Sequence, residues 1–137
     1  MQVRVNVDEI VELEYNSGAV KIQVRVLPWE ERKAHVLAMV EALPPGTGDD
    51  FDPNDKALRK AIIEMRDAVA KEAICGWSGM KDIKGNEVPF DANLIGRLEP
   101  YDTIADDAME KAMAGFDEKQ IARAVRDANQ ESTEEKN

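Results

Sequence analysis

Apolar and polar residues alternate with a period of two through Val20, Ile22, Val24 and Val26, with Lys21, Gln23 and Arg25 between them. This pattern puts β-branched side chains on one face and polar ones on the other, as a half-buried antiparallel strand requires. Val3, Val5 and Val7 alternate with Arg4 and Asn6 in the same way, and residues 10–15 continue with mixed alternation. Asn16-Ser17-Gly18 interrupts the two runs with residues that tolerate positive φ, a turn signal. The segment predicts an antiparallel hairpin or meander over about residues 2–27.

The period then changes. Pro28 suits the first position of a helix, where its missing N–H is not needed. Trp29, Val36, Leu37, Val40 and Leu43 follow at helical spacing until Pro44-Pro45-Gly46 forces a stop. A second helix is predicted from Asp52, a capping residue before Pro53, to about Ile74. Its stripe runs Leu58, Ile62, Met65, Val69 and Ala73, widened by Ile63, Ala70 and Ile74. Gly76 ends it, and residues 77–90 are turn-rich, with Lys84-Gly85-Asn86 as a hairpin turn. Asp91 caps a short helix through Leu98. Beyond Pro100, a further helix carries Tyr101, Ile104, Ala105, Ala108, Met109 and Ala112 on one side. After Gly115-Phe116-Asp117, a last helix has only Ile121, Val125 and Ala128 on a thin apolar stripe. So narrow a stripe is marginal alone, which makes Ile121 and Val125 candidate contacts with another subunit. The expected fold is α+β: an N-terminal antiparallel hairpin or meander, then four or five helices with a small hairpin insertion near residues 80–90. Residues 1–129 are expected to form a single domain, with 130–137 a disordered acidic tail.

Composition narrows the function. The chain has 137 residues, enough to bury a core without disulfides or metals. Its formal net charge of −10 opposes contact with phosphate backbones, so no nucleic-acid partner is expected. An acidic nucleic-acid mimic is the contrary reading of that charge, but acidity alone is common among soluble proteins. The charge is uneven: residues 99–137 hold eleven Asp or Glu against five Lys or Arg. A single cysteine, Cys75, permits no intrachain disulfide, and no apolar run is long enough for a membrane span. The expected location is a cytoplasm.

Catalytic material is scarce. His35 is the only histidine, and it lies in a predicted helix as a surface or boundary residue with no nucleophile at a recognisable spacing. Cys75, next to Ile74 at a helix end, is expected to be a buried, inert thiol. Asp49, Asp50, Asp52 and Asp55 lack the glycine and glutamate spacing of a calcium loop, and helix capping accounts for Asp52 and Asp55. Glycine-rich phosphate-binding patterns are missing. The chain is therefore expected to be no enzyme and to need no cofactor or metal. The unusual residues are Trp77, Met80, Phe90 and Trp29, large apolar side chains outside the long stripes. Trp77 and Phe90 either close the core by packing the small hairpin onto the long helix or form part of an exposed patch for a partner.

The stretch 73–98 holds Gly76-Trp77-Ser78-Gly79-Met80, then Asp82 and Gly85, then Val88-Pro89-Phe90 before the short helix. This order, Gly-Trp-x-Gly, Asp-x-x-Gly, Val-Pro-Phe, resembles the tail assembly chaperones of long-tailed bacteriophages and prophages. The run Val24-Arg25-Val26-Leu27 into Trp29-Glu30-Glu31-Arg32 is similar to the entry of that family into its first helix. The likeness covers roughly residues 20–98. It implies a non-enzymatic factor in the host bacterial cytoplasm that coats the helical tape measure protein, self-associates and leaves before the tail is complete. It also implies a longer, frameshifted form of the chain, with Glu135-Lys136-Asn137 encoded by a slippery A-rich run. On this likeness Gly76, Trp77, Gly79, Met80, Asp82, Gly85, Pro89 and Phe90 are the motif and candidate partner-binding residues. A small structural or adaptor protein retained in the virion is the alternative.

Overall fold

A computed structural model describes Val3, residues 5–43 and 55–114, and Gln120, Arg123, Arg126 and Asp127. Its fold is mixed α+β, with a three-stranded antiparallel sheet in the order β1-β2-β3 and helices against one face. The strands β1 (Ile10–Tyr15) and β2 (Val20–Arg25) form the hairpin, and α1 (Trp29–Glu41) and α2 (Lys56–Ala73) follow. Next come β3 (Ile74–Ser78), a 3-10 segment (Ala92–Arg97) and α3 (Tyr101–Ala112). The predicted last helix, with Ile121 and Val125, lies mostly outside the described residues, as do Asp52, Pro53 and the tail 130–137.

The hairpin follows the alternation. Leu13 pairs with Ile22, and Ile22 pairs with Trp77 on the other side, so one row of buried side chains crosses the sheet. Val24 and Ile74 continue the same face. At the turn, Asn16, Ser17 and Gly18 all have positive φ, the conformation their types suggest. Residues 3–7 depart from expectation. The first strand begins at Ile10, and Val3, Val5 and Val7 lie in no ladder among the described residues. Alternation there supplies one apolar face, but nothing in the described part of the chain covers it.

Helix α2 is capped by Asp55, whose side chain accepts a hydrogen bond from the Leu58 N–H at 3.0 Å. Its buried stripe is Leu58, Ala61, Met65, Val69, Ala70 and Ala73, while Ile63 is exposed. The helix ends at Ala73, within a residue of the expected end near Ile74, but the segment after it is not the turn-rich stretch expected: the backbone turns extended at Ile74 and enters β3 directly. Ile74 and Trp77 pair there with Val24 and Ile22, which buries both side chains against the central strand. The expected burial of Cys75 is corrected too. Gln23 pairs with Gly76 and Val24 with Ile74, so Cys75 is the extra residue of a bulge and is exposed. In α1, Val36 and Met39 face inward, whereas Trp29 and Leu37 are exposed. Trp29 sits beneath the Arg32 guanidinium, 5.7 Å from the ring centre, instead of entering the core.

Two tyrosines tie α3 to its neighbours, one to α2 and one to β1. The Tyr101 hydroxyl donates to Asp67 of α2 at 2.8 Å, and the Tyr15 hydroxyl donates to Asp107 of α3 at 2.7 Å. Burial, reinforced by the hydrogen bond to Asp67, pushes the Tyr101 phenol up to about 12. Burial and Asp107 raise Tyr15 as well. A raised folded-state value means that the folded chain holds these protons longer than the unfolded chain does. Stability from the neutral phenols is therefore complete below about pH 10 and is lost as pH climbs toward 12. An alkaline titration of the native protein should show phenolate absorption delayed relative to the denatured chain, with the unfolding midpoint falling over the same interval. Coincident titrations near pH 10 would contradict this account.

Candidate partner-binding surface

Several acids and bases of the described residues hold elements together. Arg66, on α2, is buried, and its guanidinium donates to Asp67 at 3.0 Å, Asp102 at 3.0 Å and Asp106 at 3.1 Å. It also lies 5.6 Å from the centre of the Tyr101 ring. Burial is the largest single influence on Arg66 and opposes its charge, but the hydrogen bonds to Asp67 and Asp106 and their charges outweigh it. Asp102 and Asp106 of α3 are thus partners of a structural cation. Arg25 of β2 bridges Glu31 of α1 at 3.0 Å and Glu72 of α2 at 3.6 Å. The hydrogen bonds from Arg25 hold the Glu31 carboxyl below the usual carboxylate range. His35 pairs with the same Glu72, which ties α1 to α2. Among the described residues no group of His, Cys, Asp and Glu could hold a metal ion.

The motif residues come together, and their roles are local. Trp77 is buried in β3, and its indole N–H donates to the Val88 carbonyl at 2.9 Å. The Phe90 ring meets it edge-on, with centres 4.9 Å apart. Between them, the Asp82 carboxylate accepts from the backbone N–H of Lys84 and of Asn86, each at 2.9 Å, an Asx turn. Lys81 and Glu87 form an isolated antiparallel bridge, and the Val88 N–H donates to the Met80 carbonyl at 2.8 Å. Gly85 closes the turn with φ +84°. Gly79 has φ +74° and presses its α-carbon against the hairpin turn of β1 and β2. A β-carbon on it would fall 1.9 Å from the Ala19 carbonyl oxygen. Gly76 leaves room for the Gln23 side chain. Trp77, Gly79, Asp82, Gly85 and Phe90 therefore shape and anchor one turn, with Ile83 at its tip fully exposed. Pro89 is exposed and Met80 half-buried.

Met80 leads to the cleft beside this turn. A volume of about 520 Å³ opens between the β1–β2 turn, residues 79–81 and the start of α3. Tyr15, Val20, Met80, Pro100 and Ile104 give it an apolar lining, and Lys81 and Glu99 contribute one charge of each sign. Its size matches sites that take a small ligand or the side chains of a partner segment. Of the motif residues, Gly79 and Met80 line it. Tyr15, Val20 and Ile104 were not legible as site residues, because no local pattern brings the hairpin turn against a helix some ninety residues away. Large apolar side chains also remain on the outside: Trp29 is 62% exposed, and Leu37, Ile63 and Ile83 join it.

Compared with protein-family models, curated protein sequences and solved structures, the chain matches none. Among the described residues no helix is long and apolar enough to cross a membrane.

Proposed function

We propose that this protein is a binding factor and not an enzyme: a phage tail assembly chaperone that keeps the tape measure protein soluble in the host cytoplasm during tail assembly. The observation that carries the reading is the apolar surface left over after the core is complete, with Trp29 and Leu37 on α1, Ile63 on α2 and the fully exposed Ile83. Scattered apolar residues are ordinary on a protein surface, but an exposed tryptophan at a helix start is a strong anchor for a partner. The cleft beside Met80 adds a recess for a partner side chain. The order of Gly76, Trp77, Gly79, Asp82, Gly85, Pro89 and Phe90 supports the reading through the likeness to tail assembly chaperones. A chaperone of this kind offers apolar contacts to helical stripes while its net charge of −10 keeps the coated particles apart. Self-association and a longer frameshifted form belong to the same reading.

Co-expression with a tagged helical fragment of a tape measure protein tests it. The fragment should stay soluble and retain this protein, and Trp29→Ser should weaken retention roughly tenfold, in line with loss of one aromatic anchor. The protein should be missing from finished tails. Its presence there would favour the adaptor reading, and no retention of the fragment at all would overturn the proposal.

A further inference from the structure

Helix α2 carries a cationic face in an acidic protein. Arg59, Lys60 and Ile63 stand three, four and seven residues after Lys56, so the four share one side of the helix. The three cations are exposed, and Ile63 is 45% exposed beside them. Among the described residues, no carboxylate forms an ion pair with Lys56, Arg59 or Lys60, although Glu64 stands on the flank of the same face. Arg25 and Arg66 differ, since carboxylates of other elements hold each of them. Nor do the three cations support α2 itself. They occupy its N-terminal end, where the helix dipole favours acids, and Lys56 and Lys60, four residues apart, repel each other. Three uncommitted positive charges beside an apolar side chain complement an anionic partner that also has an apolar contact to offer.

We propose that this face binds an acidic amphipathic helix of a partner protein, with a large apolar side chain against Ile63 and carboxylates against Lys56, Arg59 and Lys60. All three cations precede Ile63, and Lys56 lies about 10 Å from it along the axis at 1.5 Å per residue. A partner helix lying alongside matches the face when its acids all stand to one side of its apolar residue, three, four and seven places away. Phosphate polymers fit less well. Duplex DNA gains affinity from many neutralising contacts, three cations supply few, and a phosphate backbone makes no use of Ile63. The net charge of −10 also opposes a long polyanion. At physiological salt, screening over about 8 Å leaves the nearby cations to decide whether a short acidic helix binds. The proposal rests on the reading of this protein as a binding factor, in which Ile63 is one of the exposed apolar contacts, and it fails separately from it. Retention of a tape measure fragment through Trp29 does not require this face, and capture of an acidic helix here does not require a tape measure protein.

A dye-labelled synthetic helical peptide with one leucine, and glutamates three, four and seven places from it, tests this by fluorescence anisotropy against the full chain. It is made in both sequence orders, since either direction of the partner matches the face. One of the two should bind, and glutamine in place of its glutamates should weaken binding roughly tenfold. Arg59→Glu combined with Lys60→Glu in the protein should weaken it as much, and Ile63→Ser roughly threefold. Circular dichroism should stay the same, because these side chains are exposed. Lys84→Glu, in the 82–86 turn, should change nothing. No binding of either peptide, equal binding of the glutamine peptide, an affinity that neither protein variant alters, or an equal loss with Lys84→Glu would each overturn the proposal. Tighter binding of duplex DNA or of phosphatidylserine vesicles to the same face would overturn it in favour of a phosphate surface. A dimer in sedimentation velocity that the double substitution dissolves would overturn it in favour of a second copy.

Discussion

Replacing Gly79 with alanine is expected to destabilise the protein by about 2–5 kcal/mol, the sum of a left-handed backbone and an overpacked contact. The backbone contribution alone is about 1–2 kcal/mol, because Gly79 has φ +74°. The larger part is steric. The new methyl would lie 1.9 Å from the Ala19 carbonyl oxygen and 3.0 Å from its carbon. Those are backbone atoms of the β1–β2 turn, which no rotamer change can move aside. Relief requires separating residue 79 from the hairpin, and that disturbs the ladder between Lys21 and Ser78 next to it. Gly85 is the control. Its φ is +84°, but a β-carbon there meets open space, so Gly85→Ala should show only the backbone part, about 1–2 kcal/mol. Denaturant unfolding of both variants gives the comparison. Equal losses would mean that the contact with Ala19 is unimportant.

Truncating Trp77 to alanine is expected to remove about 3–5 kcal/mol, the range for large aromatic side chains in a core. The indole lies between Ile22 of the central strand and the Phe90 ring, and its N–H satisfies the Val88 carbonyl. Trp77→Phe keeps most of the packing and loses that hydrogen bond, so about 1–2 kcal/mol should follow. The pair also separates two meanings of the motif. If Trp77 is a structural anchor, capture of a tape measure fragment should weaken only as far as the variant unfolds. Lost capture by a fully stable Trp77→Ala protein would make the tryptophan a contact residue and contradict its place in the core.

The elements with strong internal periodicity were readable residue by residue. Val20, Ile22, Val24 and Val26 announced a strand with one buried face, and Asn16-Ser17-Gly18 announced the turn before it. The stripe from Leu58 to Ala73 announced α2, and Ile104, Ala105, Ala108 and Ala112 announced α3. The third strand was hidden. Ala73 and Ile74 continue the helical stripe, and only pairing with Ile22 and Val24, some fifty residues earlier, makes residues 74–78 a strand. Cys75 looked buried because its neighbours are apolar, yet a bulge turns it outward. Trp29 and Leu37 fit a helical stripe on spacing, but Val36 and Met39 are the side chains that meet the core. The eight motif residues were found together, while the cleft beside them depends on Tyr15, Val20 and Ile104, which no motif marks.

By itself, the sequence determined the hairpin, the three longer helices and the tight turn at 82–86, because alternation, helical spacing and the turn chemistry of Asn, Asp and Gly act over a few neighbouring residues. Only the tertiary structure decided which strand completes the sheet, which carboxylates surround Arg66, and which apolar side chains stay uncovered. Those outcomes turn on burial between segments far apart in the chain. A local pattern can state that a face is apolar, but it cannot state what will cover it.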